Sequence, residues 1–296
     1  MIFRIAKVLN HNSFIGIDDG KTTEYLVMGK GVAFGKKVSQ TVETGQDVRV
    51  YSLNELTERG EARDIIRSVP PECLELAGEV LDQAEKEFGE LDRSILFPMA
   101  DHIAFAVRRI RNKEQISNPL TEDIRVLFHK EYKVAQCMEE LLRERFHLEI
   151  DEHEVGYIAL HIHSAIVDEK VSQAMQMARS VRECIFLVEK ETGKKIDVMS
   201  LSYNRLMNHV RYMVARAVSG EKLKVNMNDY MEVRFPEAYK ASRQICREME
   251  KNLKLPFNEV EIGYLAMHLE RVMDTELQEK NEQKNLHRGE NVLLLE

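Results

Sequence analysis

The sequence predicts a small antiparallel β-sheet domain followed by two tandem all-α helical-bundle domains. Three observations carry that expectation. Residues 1–55 are broken into short runs of β-forming residues separated by turn formers. From Ile65 onward, apolar residues recur with helical spacing. Finally, one stretch occurs twice: Glu154-Val155-Gly156-Tyr157-Ile158-Ala159-Leu160-His161-Ile162-His163 returns as Glu261-Ile262-Gly263-Tyr264-Leu265-Ala266-Met267-His268-Leu269-Glu270, with five of ten positions identical. The offset is 107 residues (268 − 161), and it also pairs His102 with His209, Arg109 with Arg216, Phe128 with Phe235, Tyr132 with Tyr239 and Leu148 with Leu255. One register over that span means two copies of one domain with no net insertion. The repeat leaves a separate unit ahead of it. The expected division is 1–56 (sheet), 57–65 (linker), 66–170 and 171–280 (the two copies), and 281–296 (a charged, weakly patterned tail).

In the first unit, Ile2–Leu9, Phe14–Ile17, Tyr25–Met28 and Val48–Tyr51 read as four strands. Asn10-His11-Asn12 is a polar break, and Asp18-Asp19-Gly20-Lys21 reads as a hairpin turn with Gly20 free to take positive φ. So small a sheet buries little and gains from dimerising. Leu56 to Arg63 reads as a polar connector, short enough to pass a change in the helices on to the sheet.

In the helical part, Pro70-Pro71 opens a helix over 72–88. Around His102, the residues Met99, Ile103, Ala106, Val107 and Ile110 form an apolar face, with His102 off it and Arg109 two turns along on the same side. Leu206, Val210, Met213, Val214 and Ala217 repeat the face, with His209 and Arg216 beside it. In the duplicated stretch, Val155, Ile158, Ala159, Ile162, Ala165 and Ile166 point inward. His161 is expected on the flank with Glu154 and Tyr157, and His268 with Glu261, Tyr264 and Arg271. Gly156 and Gly263 are poor helix formers, so a tight helix contact is expected at both.

Composition narrows the function. The chain carries −8 overall; residues 1–55 hold seven Lys/Arg and six Asp/Glu, a balance of +1, so the remainder carries −9. The acidic helical part is therefore a poor nucleic-acid surface, whereas the sheet permits one. Cys73, Cys137, Cys184 and Cys246 lack CxxC spacing and read as buried free thiols of a reducing compartment. No run of about 18 apolar residues occurs, and the N-terminus has a strand pattern, so the expected location is cytoplasmic.

Two groups of residues carry chemistry. In the sheet, the amides of Asn10 and Asn12 can both donate and accept hydrogen bonds, as base edges require. The Gly29–Lys37 loop joins close backbone approach, the aromatic Phe34, and Lys30, Lys36 and Lys37 to meet phosphates. Ordinary turn asparagines and a solvated loop would look the same. In each helical copy two histidines stand 59 residues apart (161 − 102 and 268 − 209). Structural, hydrogen-bonded histidines are one reading. Metal ligation is a second, weakened because His161 and His163, at i and i+2 on a helix, diverge by about 200° and cannot share an ion, and because His163 becomes Glu270 in the second copy. A third is nucleophilic: a neutral imidazole accepts a phosphoryl group from an activated donor, and Arg109, Arg216 and Arg271 are placed to receive the added charge. No Walker or kinase motif appears, so the chain need not catalyse that transfer itself, and no enzyme activity is expected of it. His129, His147, His153 and His287 lack repeat partners and read as surface or structural.

The segments Ile5–Asn12 and Val27–Lys37, followed by the paired histidines at a fixed repeat, resemble the BglG/SacY family of sugar-operon transcriptional antiterminators. The resemblance covers nearly the whole chain. It implies an N-terminal RNA-binding domain that dimerises on an RNA hairpin and prevents a terminator from forming, followed by two phosphotransferase-system regulation domains. The RNA-contacting positions it implies are Lys7, Asn10, Asn12, Gly29, Lys30 and Phe34. Lys30 stands where the family commonly has arginine, and His11 where asparagine is usual. His102, His161, His209 and His268 are the implied phosphorylation sites, with the phosphocarrier protein HPr and a sugar-specific permease as donors. No cofactor and no resident metal are implied. The competing expectation from a different class is an all-α metal-dependent phosphohydrolase with an accessory β module.

Overall fold

The computed structural model describes residues 1–18, 23–45, 47–57, 60–114, 116–167, 170–193, 195–196 and 200–273. The expected turn at Asp19–Lys21, His287 and the tail lie outside these residues. The chain divides into two compact units, Met1–Met175 and Gln176–Glu296.

The first unit opens with strands β1 (Ile2–Asn10), β2 (Ser13–Asp18), β3 (Glu24–Met28), β4 (Thr41–Glu43) and β5 (Arg49–Ser52). They form one antiparallel sheet in the order β4-β1-β2-β3-β5. This is one strand more than the sequence suggested: Thr41–Glu43 is too short for its alternation to show, but Val42 tucks beside Phe3. Alternation puts Phe3 and Ile5 of β1 inside, with Phe14, Val27 and Ala33 completing the core. The connector is not simply polar coil. Leu56–Thr57 (β6) pairs with Gly60–Glu61 (β7) and leads directly into helix α1 (Ala62–Ser68).

The first helical copy consists of α2 (Pro71–Phe88), a 3-10 turn at Arg93–Ile95, then α3 (Leu96–Arg111), α4 (Thr121–Leu127), α5 (His129–Ala135), α6 (Cys137–Phe146) and α7 (Glu152–Val167). Helix α7 packs against α3, α4 and α5. As a result it is buried nearly all round: Leu160, His161, His163 and Ser164 are as enclosed as Val155 and Ile158. Its mean apolar content, not a one-sided stripe, is what suits that central place.

The sheet and the first copy are tied together. Arg49 of β5 bridges to Glu85 of α2 at 3.1 Å, Arg93 Nη1 donates to the Tyr51 hydroxyl at 3.2 Å, and Tyr51 packs edge-on against Phe97. Arg93 also pairs with Asp82 and Glu85.

Helix α8 (Val171–Thr192) contains the point of division. The second copy continues with α9 (Leu201–Ser219), α10 (Asn228–Arg234), α11 (Pro236–Leu253) and α12 (261–273). Ser200 caps α9 by accepting from the Tyr203 N–H, and Gly220 ends it at φ 73°. The repeat reaches the backbone: α6 ends at His147 and α11 at the equivalent Lys254, both left-handed, at φ 53° and 55°. His147 is thus a helix-terminating residue, and His153 Nδ1 lies 2.6 Å from the Thr121 hydroxyl. Of the four cysteines, Cys137 is only half-buried.

The glycines of the duplicated stretch differ. A Cβ on Gly263 would lie 2.9 Å from the Met227 carbonyl carbon and 3.0 Å from the Asn228 nitrogen, both backbone atoms at the start of α10. At Gly156 the nearest atom is a flexible Ile124 methyl at 3.9 Å, so the tight contact expected there is absent. Gly263→Ala should therefore destabilise by about 1–3 kcal/mol through forced backbone movement. Gly156→Ala should be neutral or stabilising by up to about 1 kcal/mol through helix propensity. Urea unfolding of the two variants checks the difference in sign.

Candidate functional site

In the first copy α3 and α7 bring the predicted residues together. His102 and His161 face one another with ring centroids 5.6 Å apart, and Tyr157 lies 5.3 Å from His102. His102 Nε2 is 3.0 Å from Glu154 Oε2, while Glu154 Oε1 accepts from Arg109 Nε at 3.0 Å and Nη2 at 2.6 Å. Glu154 is 1% exposed. Burial pushes its carboxyl up, but His102 and Arg109 together outweigh that and hold it below the usual carboxylate range. A cleft of about 570 Å³ opens onto His102, Arg109, Tyr157 and His161.

The second copy rebuilds the cluster on α9 and α12 with one change. Arg216 clamps Glu261 with two bonds, Nε to Oε1 at 2.7 Å and Nη2 to Oε2 at 2.9 Å. Both carboxylate oxygens are taken, and His209 Nε2 is buried without a hydrogen-bond partner among the described residues. His209 stacks on His268 at 4.7 Å. Burial, His268 and Arg216 push His209 down to about 3; burial, Arg271 and Arg205 push His268 down to about 4. Both imidazoles are neutral at neutral pH.

Two expectations need correction. The histidines were placed on helix flanks off the core stripe, yet His102, His161 and His209 are 6%, 3% and 9% exposed, because those flanks face each other, α3 against α7 and α9 against α12. Arg109 and Arg216 were expected to await a phosphate, but each is held by a buried glutamate. Arg271 is exposed near His268. His163 pairs instead with Glu131, at 2.9 Å, away from His161.

The other set gathers at one end of the sheet. The Gly29–Lys37 loop is clamped to the β1–β2 turn by Gly29 N–H to Asn12 O and Ala33 N–H to His11 O. The Asn10 side-chain carbonyl accepts from the Asn12 N–H and Ser13 Oγ, both at 2.9 Å, and that of Asn12 accepts from the Gly31 N–H. Phe34 is 69% exposed, edge-on to His11 at 5.2 Å. Lys7 and Lys30 are exposed nearby. The two asparagine amide groups converge on Glu75 Oε1 of α2, at 2.8 and 3.2 Å.

Residues 66–165 and 182–272 match the PRD domain family, and residues 3–59 match the CAT RNA binding domain family. The chain belongs to the BglG/SacY family. Similar proteins include the glcA/glcB genes antiterminator of Staphylococcus carnosus, 27% identical over 94% of this chain and 97% of that protein. The β-glucoside operon antiterminator of Dickeya chrysanthemi is 28% identical over 94% and 99%. The transcription antiterminator LicT of Bacillus subtilis is 26% identical over 91% and 99%. A crystal structure of GlcT CAT-PRDI is 29% identical, with a TM-score of 0.47 over 56% of this chain and 99% of that one.

Within this BglG/SacY-family chain, Glu154 and Glu261 are the site residues that sequence reasoning left unassigned. The signal was present: each follows its arginine by 45 residues in both copies. Glu75 had no such signal, since it lies upstream of the stretch over which the 107-residue register holds.

The neutral histidines make the second unit acid-sensitive. Unfolded, His209 and His268 titrate near 6.5; folded, near 3 and 4, so below about pH 6.5 the unfolded chain binds protons that the folded chain refuses. Stability should fall as pH drops from 7 toward 4, by at most about 1.4 kcal/mol per pH unit per histidine, and by less for half-exposed His268. His209→Gln should flatten that slope in urea titrations at pH 7 and 5.

Proposed function

We propose that this chain is a transcriptional antiterminator of a sugar-utilisation operon that binds an RNA hairpin and keeps a terminator hairpin from forming. Lys7, Asn10, Asn12, Gly29, Lys30 and Phe34 are its RNA-contacting residues, and His102, His161, His209 and His268 its phosphorylation sites. The observation that carries the regulatory half is the duplicated cluster of two facing histidines with an arginine locked to a buried glutamate. The division into an RNA-binding sheet (1–56), a linker (57–65), two regulatory copies (66–170 and 171–280) and a tail (281–296) goes with this reading. The phosphohydrolase alternative has no support from the family match.

The donors proposed are HPr and a sugar-specific permease of the phosphotransferase system, acting in the cytoplasm on a homodimer. Among the described residues, no helix is long and apolar enough to cross a membrane. A neutral imidazole nitrogen attacks the donor's phosphoryl group without first losing a proton, and the phosphorus bond to the donor breaks with the electron pair leaving on the donor's side chain. The product adds about −1.5 to −2 charge. In either copy that charge arrives within reach of a buried carboxylate and its arginine. The carboxylate repels it and the arginine attracts it, so Arg109 or Arg216 is drawn from glutamate to phosphate, leaving a buried carboxylate that the packed helices must rearrange to accommodate. The first copy is assigned the inhibitory input from the permease and the second the activating input that favours the dimer.

Incubation with HPr, with and without the permease, followed by phosphopeptide mapping should label His209 or His268 under one condition and His102 or His161 under the other. Label confined to other residues would sink the assignment. In RNA binding, Asn10→Ala and Phe34→Ala should each cost about 1–3 kcal/mol of hairpin affinity, whereas Lys36→Ala should mainly reduce the salt dependence. Filter binding at several salt concentrations separates the two classes.

A further inference from the structure

We infer that helix α2 carries a built-in competitor for RNA, with Glu75 occupying the Asn10 and Asn12 amides that the RNA would use. The inference rests on the proposed RNA-contacting role of those asparagines. Their side-chain carbonyls are spent inside the turn, on Asn12 N–H, Ser13 Oγ and Gly31 N–H. What each can offer a partner is its amide donor, and both donors end on the same Glu75 oxygen. A carboxylate oxygen presents the same acceptor to an amide as a phosphate or a base carbonyl, so Glu75 competes with RNA for these donors.

Glu75 belongs to a stripe. Glu75, Glu79, Asp82 and Glu85 follow at helical spacing on α2, and Arg145 of α6 pairs with Glu75 and Glu79. Across a cleft of about 600 Å³, the stripe faces Gly29, Lys30 and Arg49 of the sheet. The contact is anchored at its far end by Arg49–Glu85 and Arg93–Tyr51. RNA binding through the asparagine amides displaces Glu75, and any input that loosens α2 promotes it.

The test uses the full, unphosphorylated chain and an RNA hairpin recovered from a randomised-loop library by selection on the Glu75→Ala protein. Alanine favours helix, so this variant retains α2; an unchanged thermal transition verifies that. Glu75→Ala should bind the selected hairpin about tenfold more tightly than the parent, since two hydrogen bonds no longer compete. Glu75→Gln, which keeps an acceptor but loses the charge, should fall between. Equal affinities for all three proteins would overturn the competitor while leaving the RNA-binding assignment standing. Failure to enrich any hairpin, or full binding by Asn10→Ala/Asn12→Ala, would instead overturn the RNA-contact assignment on which the inference rests.

Discussion

A carboxylate 1% exposed to solvent sits between two packed helices in the first copy, and its twin at 2% sits in the second. Such a charge persists only if paired, because taking it out of water costs several kcal/mol that a single well-placed guanidinium must offset. Arg109 and Arg216 meet that need, and the rest of each cluster follows from the pairing. The arginine must come from the helix that also carries the first histidine, the glutamate from the helix that carries the second. Helix α3 is thereby fixed against α7, and α9 against α12, in the register that brings the histidine rings face to face. The same ion pair that holds each copy together is thus the element most sensitive to a new negative charge.

The two copies use the pair differently. In the first, one glutamate oxygen takes both arginine bonds and the other stands 3.0 Å from His102. In the second, the arginine takes both oxygens and His209 is left with an unpaired ring nitrogen. An imidazole beside a carboxylate is oriented by it; one in a buried stack beside a second imidazole is kept neutral. Duplication therefore placed one pair of facing histidines in two different electrostatic settings.

Much of this was readable from the chain. The 107-residue register fixed the domain count, the histidine pairs and the helix that each lies on, because repetition does not depend on knowing what packs where. The β pattern of residues 1–55 was legible for strands long enough to alternate, and failed for Thr41–Glu43, where three residues carry no period. Burial of the histidines was not legible. Periodicity identifies a flank, but whether a neighbour covers that flank is decided by tertiary packing, and α7 is covered on nearly every side. Gly156 and Gly263 make the same point. They are identical in sequence and in helical position, yet only Gly263 meets another backbone.

The contact between α2 and the sheet lay furthest from view, for a physical reason. Asn10 and Asn12 are 65 and 63 residues from Glu75, and hydrogen bonds of that span leave no local pattern. Helix α2 packs directly on α3, which bears His102 and Arg109. One helix thus separates the first copy's histidine cluster from the asparagine turn. A rearrangement of α3 that follows the loss of the Arg109–Glu154 pair has to be absorbed by α2 or passed to it. Because packed helices shift between discrete arrangements and do not deform continuously, the bonds that Glu75 makes to the sheet are among the first that such a shift would break.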